Sequence, residues 1–165
     1  MHPPPADINP WEVFKHLSVA ITLGGAIGLE RQWRQRLAGL RTNMLVALGA
    51  ATFIHFESLY VGGDPTKIAG QVVTGIGFLG AGIIFRDGVS IHGLNTAATL
   101  WCAAAVGVLA GAGVYSAAAI AAGFVVGTNL ILRPVIKKIN DKVESKYSHD
   151  PSSRAFHEDK HPEDP

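Results

Sequence analysis

Gly88–Leu132 reads GVSIHGLNTAATLWCAAAVGVLAGAGVYSAAAIAAGFVVGTNLIL, 45 consecutive residues without an Asp, Glu, Lys or Arg. A helix needs only ~20 apolar residues to cross a bilayer, so two passes fit into this stretch. They divide at Ala110-Gly111-Ala112-Gly113, placing one helix near 92–109 and the next near 114–132, with Pro134 just beyond. Working outward, Ile68 to Phe85 is uncharged and stops at Arg86-Asp87-Gly88, which predicts a span at 68–85. Further toward the N-terminus, spans are expected at 42–60 and at 13–29, the latter closed by Glu30-Arg31. The predicted fold class is an all-α membrane protein, a bundle of five transmembrane helices.

Composition excludes the other classes. Of 165 residues, 48% are hydrophobic and only 16% charged, and Gly reaches 19, which is too apolar for disorder and too poorly charged for a soluble surface. A net charge of +1 argues against nucleic acid as a partner, and the single Cys102 excludes an internal disulfide framework. Lys and Arg are retained on the cytoplasmic side of short loops, so their distribution orients the bundle. Alternate loops collect Arg31, Arg34, Arg36, Arg41, Arg86, Arg133, Lys137, Lys138, Lys142 and Lys146 on one side, against Lys15 and Lys67 on the other. Five spans therefore put the N-terminus outside and the C-terminus in the cytoplasm.

Residues 1–12, rich in proline and without a positive charge before Lys15, read as an exposed leader rather than a signal peptide. Residues 134–165 read as a basic, then polar, cytoplasmic tail with too few apolar residues for a core. Its first part, to about Lys146, reads as a stop-transfer anchor, or alternatively as a basic surface helix drawn to anionic lipid by ~1 kcal/mol per charge.

Helices in lipid associate through small residues that permit close backbone approach. Gly24 and Gly28, Gly107 and Gly111, and Gly123 and Gly127 are three such pairs, serving either packing within the chain or homo-oligomerisation. Gly75-Ile-Gly77-Phe-Leu-Gly80 spells a dinucleotide-binding fingerprint without the preceding strand or the following acidic residue that this chemistry needs. No cofactor is expected there. The glycines instead predict a close-packed or locally broken helix.

Polar residues at membrane depth are functional candidates by default. Asn95, Thr99 and Cys102 follow i, i+4, i+7 spacing on one helix face, which could dock against Gln71 and Thr74 of the third span or line a path for an ion. Carboxylates do not support such a path, because Glu30 and Asp87 fall at the inner boundary and Glu57 and Asp64 at the outer one. Glu57, Asp64 and His55 read as solvated charges at the outer interface, with a weak external site for divalent cations or protons as the alternative. Glu30 could latch onto Arg41 or Arg86 at the cytoplasmic face. No nucleophile–base pair, metal cluster or phosphate loop is present in the sequence pattern, so no enzyme activity is expected.

The segments GGAIGLERQWRQRLAGLRTNMLVALGAATF, GQVVTGIGFLGAGIIFRDG and IHGLNTAATLWCAAAVGVLAGAG carry a resemblance. From about Leu23 to Asn140 the chain resembles the MgtC/SapB family of bacterial inner-membrane proteins. The resemblance implies five spans in the inner membrane, a link to growth under magnesium limitation and to virulence through survival inside macrophages, and a regulatory rather than catalytic role. It implies an inner-membrane protein partner, the ATP synthase or a cation-transporting ATPase, with a small magnesium or other cation transporter as the alternative. The family's charged loop falls on Glu30, Arg31 and Arg41, and its polar helix motif on Asn95, Thr96, Thr99 and Cys102. Longer members continue into a cytoplasmic regulatory domain, where this chain has about 25 polar residues.

Overall fold

The computed structural model describes residues 9–58 and 64–148. Along the chain these residues form α1 (Pro10–Trp33), α2 (Leu40–Ser58), α3 (Pro65–Ile83), β1 (Phe85–Asp87), β2 (Ser90–His92), α4 (Leu94–Gly111) and α5 (Tyr115–Ser148). The fold is helical apart from one antiparallel hairpin.

Helix starts are written in local chemistry. The Asn9 side chain accepts a hydrogen bond from the Trp11 N–H at 3.1 Å and Pro10 opens the first turn, so α1 begins three residues before Val13. Residues 1–8 of the expected leader lie outside the described residues. The charged stretch Glu30–Trp33, expected as loop, is instead the last turn of α1, closed by a Glu30–Arg34 ion pair at 2.7 Å across one helical turn. Asp64 caps α3, accepting from the Thr66 N–H at 3.0 Å.

After α3 the chain makes a hairpin that the span boundaries at 68–85 and 92–109 did not foresee. Phe85 pairs with His92 and Asp87 with Ser90, leaving Gly88 and Val89 as the turn. Gly88 has φ +57°, and glycine at the first central position is favoured in such a two-residue turn. The fourth helix consequently begins at Leu94 rather than His92. Gly93 makes that entry with φ +89°, and a Cβ there would come within 3.1 Å of Ile84 Cα.

The chain divides into two compact units, one through Val126 and one from Gly127. In the first, α1, α2, α4 and the start of α5 share a core of Ala20, Ile27, Ala51, Ala103, Val106, Ala110, Ala118 and Ala122. A smaller cluster of Ala50, Ile76 and Ala104 ties α3 to α2 and α4. Two of the three glycine pairs do the close packing. A Cβ on Gly24 would stand 2.8 Å from Asn43 O and one on Gly28 2.7 Å from Leu40 Cα, so α1 lies backbone to backbone on α2. From the other side, Gly107 and Gly111 of α4 press onto Ala47 and Ala51 of α2, where added Cβ atoms would stand 2.8 and 2.7 Å from the respective Cα atoms. At Gly123 and Gly127 a Cβ would meet nothing within 4 Å.

The dinucleotide-like glycines lie inside an unbroken helix, correcting the expectation of a locally broken or closely packed one. Gly75 and Gly77 face open space, and Gly80 would only touch the Ala97 side chain at 3.5 Å. In the second unit, α5 does not stop before Pro134 but carries that proline inside the helix and continues to Ser148. Residues 149–165 of the expected tail lie outside the described residues.

Three helical segments are long and apolar enough to cross a membrane among the described residues: Pro10–Trp33, Leu94–Gly111 and Tyr115–Leu132. Helices α2 and α3 are not in that set. The first carries Arg41, Asn43, His55 and Glu57, and the second carries Lys67, Gln71 and five glycines.

Candidate functional site

A buried cation stands where the last turn of α1 meets the first turn of α4. Arg31 is only 2% exposed, and its Nη2 donates to Thr96 Oγ1 at 2.6 Å and weakly to Leu37 O at 3.4 Å. The Arg31 Nε–H has no acceptor. Thr96 is itself buried, held one turn into α4 by the left-handed entry at Gly93. The carbonyl of Arg31 accepts the Arg36 N–H at 3.0 Å, so the loop after α1 folds back over the cation, with Gln35 and Ala38 at positive φ. A buried guanidinium is costly unless hydrogen bonded, which makes the Thr96 hydroxyl a clamp between α1 and α4.

Of the residues singled out in the sequence, the structure brings Arg31 and Thr96 together across 65 positions. Glu30 is beside them along the helix, but the expected latch to Arg41 or Arg86 does not form. Its carboxylate is captured by Arg34, which the helix repeat places within reach, while Arg86 turns its Nε–H to Gly88 O at 2.7 Å.

The docking of Asn95, Thr99 and Cys102 against Gln71 and Thr74 is likewise not formed. Thr99 is buried but returns its hydroxyl to Asn95 O at 2.8 Å within its own helix. Thr74 does the same, donating to Gly70 O at 3.0 Å. Gln71, Thr74 and Asn95 are all exposed, and Cys102 is half-buried with a free thiol. Where α3 and α4 do meet, the contacts are apolar: Ile76 with Ala104, and Gly80 with Ala97.

Asn43 was missed. It is fully buried in the first turn of α2, and its Nδ2 donates to Ala38 O at 2.8 Å and Gly39 O at 2.9 Å, while Oδ1 is buried without a donor. The signal was present, since Asn43 stands at the head of an apolar run as Asn95 does.

At the opposite end of the bundle His55 does not join Glu57 and Asp64. Its ring lies against His16, with centroids 4.8 Å apart and the planes tilted by 36°, and His16 Nδ1 lies 2.9 Å from Ala110 O and 3.4 Å from the Tyr115 hydroxyl. Glu57 and Asp64 do meet, the Asp64 N–H donating to Glu57 Oε1 at 3.3 Å, while the Asp64 side chain caps α3, and hydrogen bonds from the Thr66 hydroxyl and backbone N–H hold its carboxyl below the usual carboxylate value. Among the described residues no group of three or more His, Cys, Asp or Glu side chains is placed to hold a metal ion.

Arg41 opens a groove between α2 and α3. The cavity has a volume of about 700 Å³ and is walled mainly by aliphatic side chains and Phe53, with Gly49, Gly75 and Ala104 also in its lining.

Apolar helices of bilayer length, backbone-to-backbone glycine contacts and a sealed Arg–Thr clamp define a small helical membrane protein. The MgtC family model matches residues 17–138, and the chain belongs to that family. It is 60% identical over 133 residues to Protein MgtC of Brucella abortus (strain 2308), covering 77% of this chain and 56% of the relative. Protein MgtC of Salmonella typhimurium (strain LT2) is 53% identical over 125 residues, covering 76% of this chain and 54% of the relative. An uncharacterized protein of Synechocystis sp. is 52% identical over 131 residues, covering 78% and 56%. The chain thus spans about half the length of the curated relatives it matches. No solved structure matches it.

Proposed function

We propose that this chain is a non-enzymatic, five-span protein of the bacterial inner membrane, N-terminus outside and C-terminus cytoplasmic. It acts by binding and modulating another membrane protein, the ATP synthase or a cation-transporting ATPase, in adaptation to magnesium limitation and in survival inside macrophages. Family membership supports the setting, and the segregation of Lys and Arg supports the orientation.

The observation that carries the mode of action is where the polar groups of the helices go. Arg31 bonds to Thr96, Thr99 to Asn95 O, and Asn43 to Ala38 O and Gly39 O, so these donors join parts of the chain to one another. A carrier needs polar groups converging on a shared lumen, and Gln71 and Thr74 do not converge with Asn95 and Thr99. What α3 turns outward is apolar: Gly70 and Gly77 on one face and Gly82 on another, with Val73, Phe78 and Leu79 exposed beside them, a surface that a neighbouring membrane helix can approach at the glycines.

The test is site-specific crosslinking from Gly77→Cys and Gly82→Cys, in a Cys102→Ala background, during magnesium starvation. The expected result is an adduct with a subunit of the ATP synthase or with a cation ATPase, absent from a Leu17→Cys control whose side chain packs on the core of the bundle. Adducts spread evenly over abundant membrane proteins contradict the reading.

A further inference from the structure

We propose that the groove between α2 and α3 is a binding site for an anionic phospholipid, its phosphate at Arg41 and one acyl chain along Gly49 and Gly75. Arg41 is the one charged residue on the groove wall, and among the described residues its guanidinium has neither an ion pair nor a hydrogen bond. The remaining wall is almost wholly apolar, with Leu45, Phe53 and Leu79 all more than half exposed. A single unpaired guanidinium at the mouth of an apolar slot matches a phosphodiester carrying hydrocarbon, because arginine binds phosphate through a planar fork and basic pockets between spans hold anionic head groups.

Length selects lipid over a partner helix. Arg41 and Phe53 bound the α2 side twelve positions apart, which at ~1.5 Å per residue is about 18 Å. One leaflet is about 15 Å of the ~30 Å hydrocarbon core, so an acyl chain fills the groove, whereas a spanning helix would overrun it. Width comes from glycine, since a Cβ at Gly49 or Gly75 would meet nothing within 4 Å.

The site rests on the reading of α2 and α3 as membrane spans. That placement has its own test: a membrane-impermeant thiol reagent applied to cells carrying Lys67→Cys in a Cys102→Ala background labels the protein from outside, and protection from outside contradicts the five-span orientation. Lipid retention is read separately. The purified full chain is exchanged into micelles holding equal amounts of phosphatidylglycerol and phosphatidylethanolamine, and retained lipids are counted by native mass spectrometry. The expected result is at least fivefold preference for phosphatidylglycerol, lost in Arg41→Gln, largely kept in Arg41→Lys and unchanged in Arg86→Gln. Gly75→Leu, which fills the groove, lowers retention of both lipids. Equal retention of the two lipids by the unsubstituted protein, or preference surviving Arg41→Gln, overturns the site whether or not Gly75→Leu folds.

Discussion

Glycine does opposite work on α1 and α4 than on α3. Gly24, Gly28, Gly107 and Gly111 let α1 and α4 press against the α2 backbone so closely that a single methyl group would collide with main-chain atoms. Gly70, Gly75, Gly77 and Gly82 of α3 face space in which a Cβ would touch nothing within 4 Å. The same residue at comparable density thus makes a lock in one region and an open surface in the other. Packing inside the chain accounts for the first set. The second is available to something outside the chain, either a membrane partner or a lipid.

The contrast is broken most directly by adding side chains. Gly107→Val and Gly28→Val force backbone displacement and should cost about 3 kcal/mol or more, read as loss of a cooperative thermal transition in detergent. Gly77→Ala and Gly82→Ala should leave stability unchanged or raise it by up to ~1 kcal/mol, because alanine is the better helix former where there is room. Equal effects at the two sets would erase the distinction.

A smaller effect is expected at the clamp. Thr96→Val leaves the Arg31 guanidinium buried without its best acceptor and should cost about 1.5–3 kcal/mol, while Thr96→Ser, which keeps the hydroxyl, should retain most of the stability. Comparing the two variants in the same melt separates the hydrogen bond from packing.

The smallest effect concerns the start of α3. The Asp64 carboxyl, held low by the Thr66 hydroxyl and N–H, contributes stability in full above its ordinary value of 3.8. That contribution is lost as the pH falls from there through the lowered folded value. Acidification should therefore loosen α3 before the rest, seen as faster amide exchange at Lys67 and Ile68, and Asp64→Asn should remove that pH dependence.

Hydropathy and charge made the helices and their order legible, because both are one-dimensional properties of the chain. Ends were less so. Asn9 and Asp64 are ordinary caps lying outside the apolar windows, and Asp87-Gly88 gives a turn signal too short to register against a long apolar stretch. Gly24, Gly28, Gly107 and Gly111 were identifiable as packing residues, but their shared partner α2 was not, since spacing within one helix does not say which neighbour it meets. Arg31 and Thr96 were each identified, yet their contact depends on how the α1 C-terminus and the Gly93 entry come together in space. Asn95, Thr99, Gln71 and Thr74 were grouped by helical spacing alone. Local hydrogen bonding within each helix then claimed the two threonines.

The open side of α3 is, as we propose, a contact surface and not an ion path. Magnesium flux into proteoliposomes, with an imposed gradient and membrane potential and with protein shown to be folded and inserted, tests it most directly. No flux above protein-free vesicles is expected. Flux that appears with the protein and disappears in Asn95→Ala or Gln71→Ala would contradict it and establish a carrier.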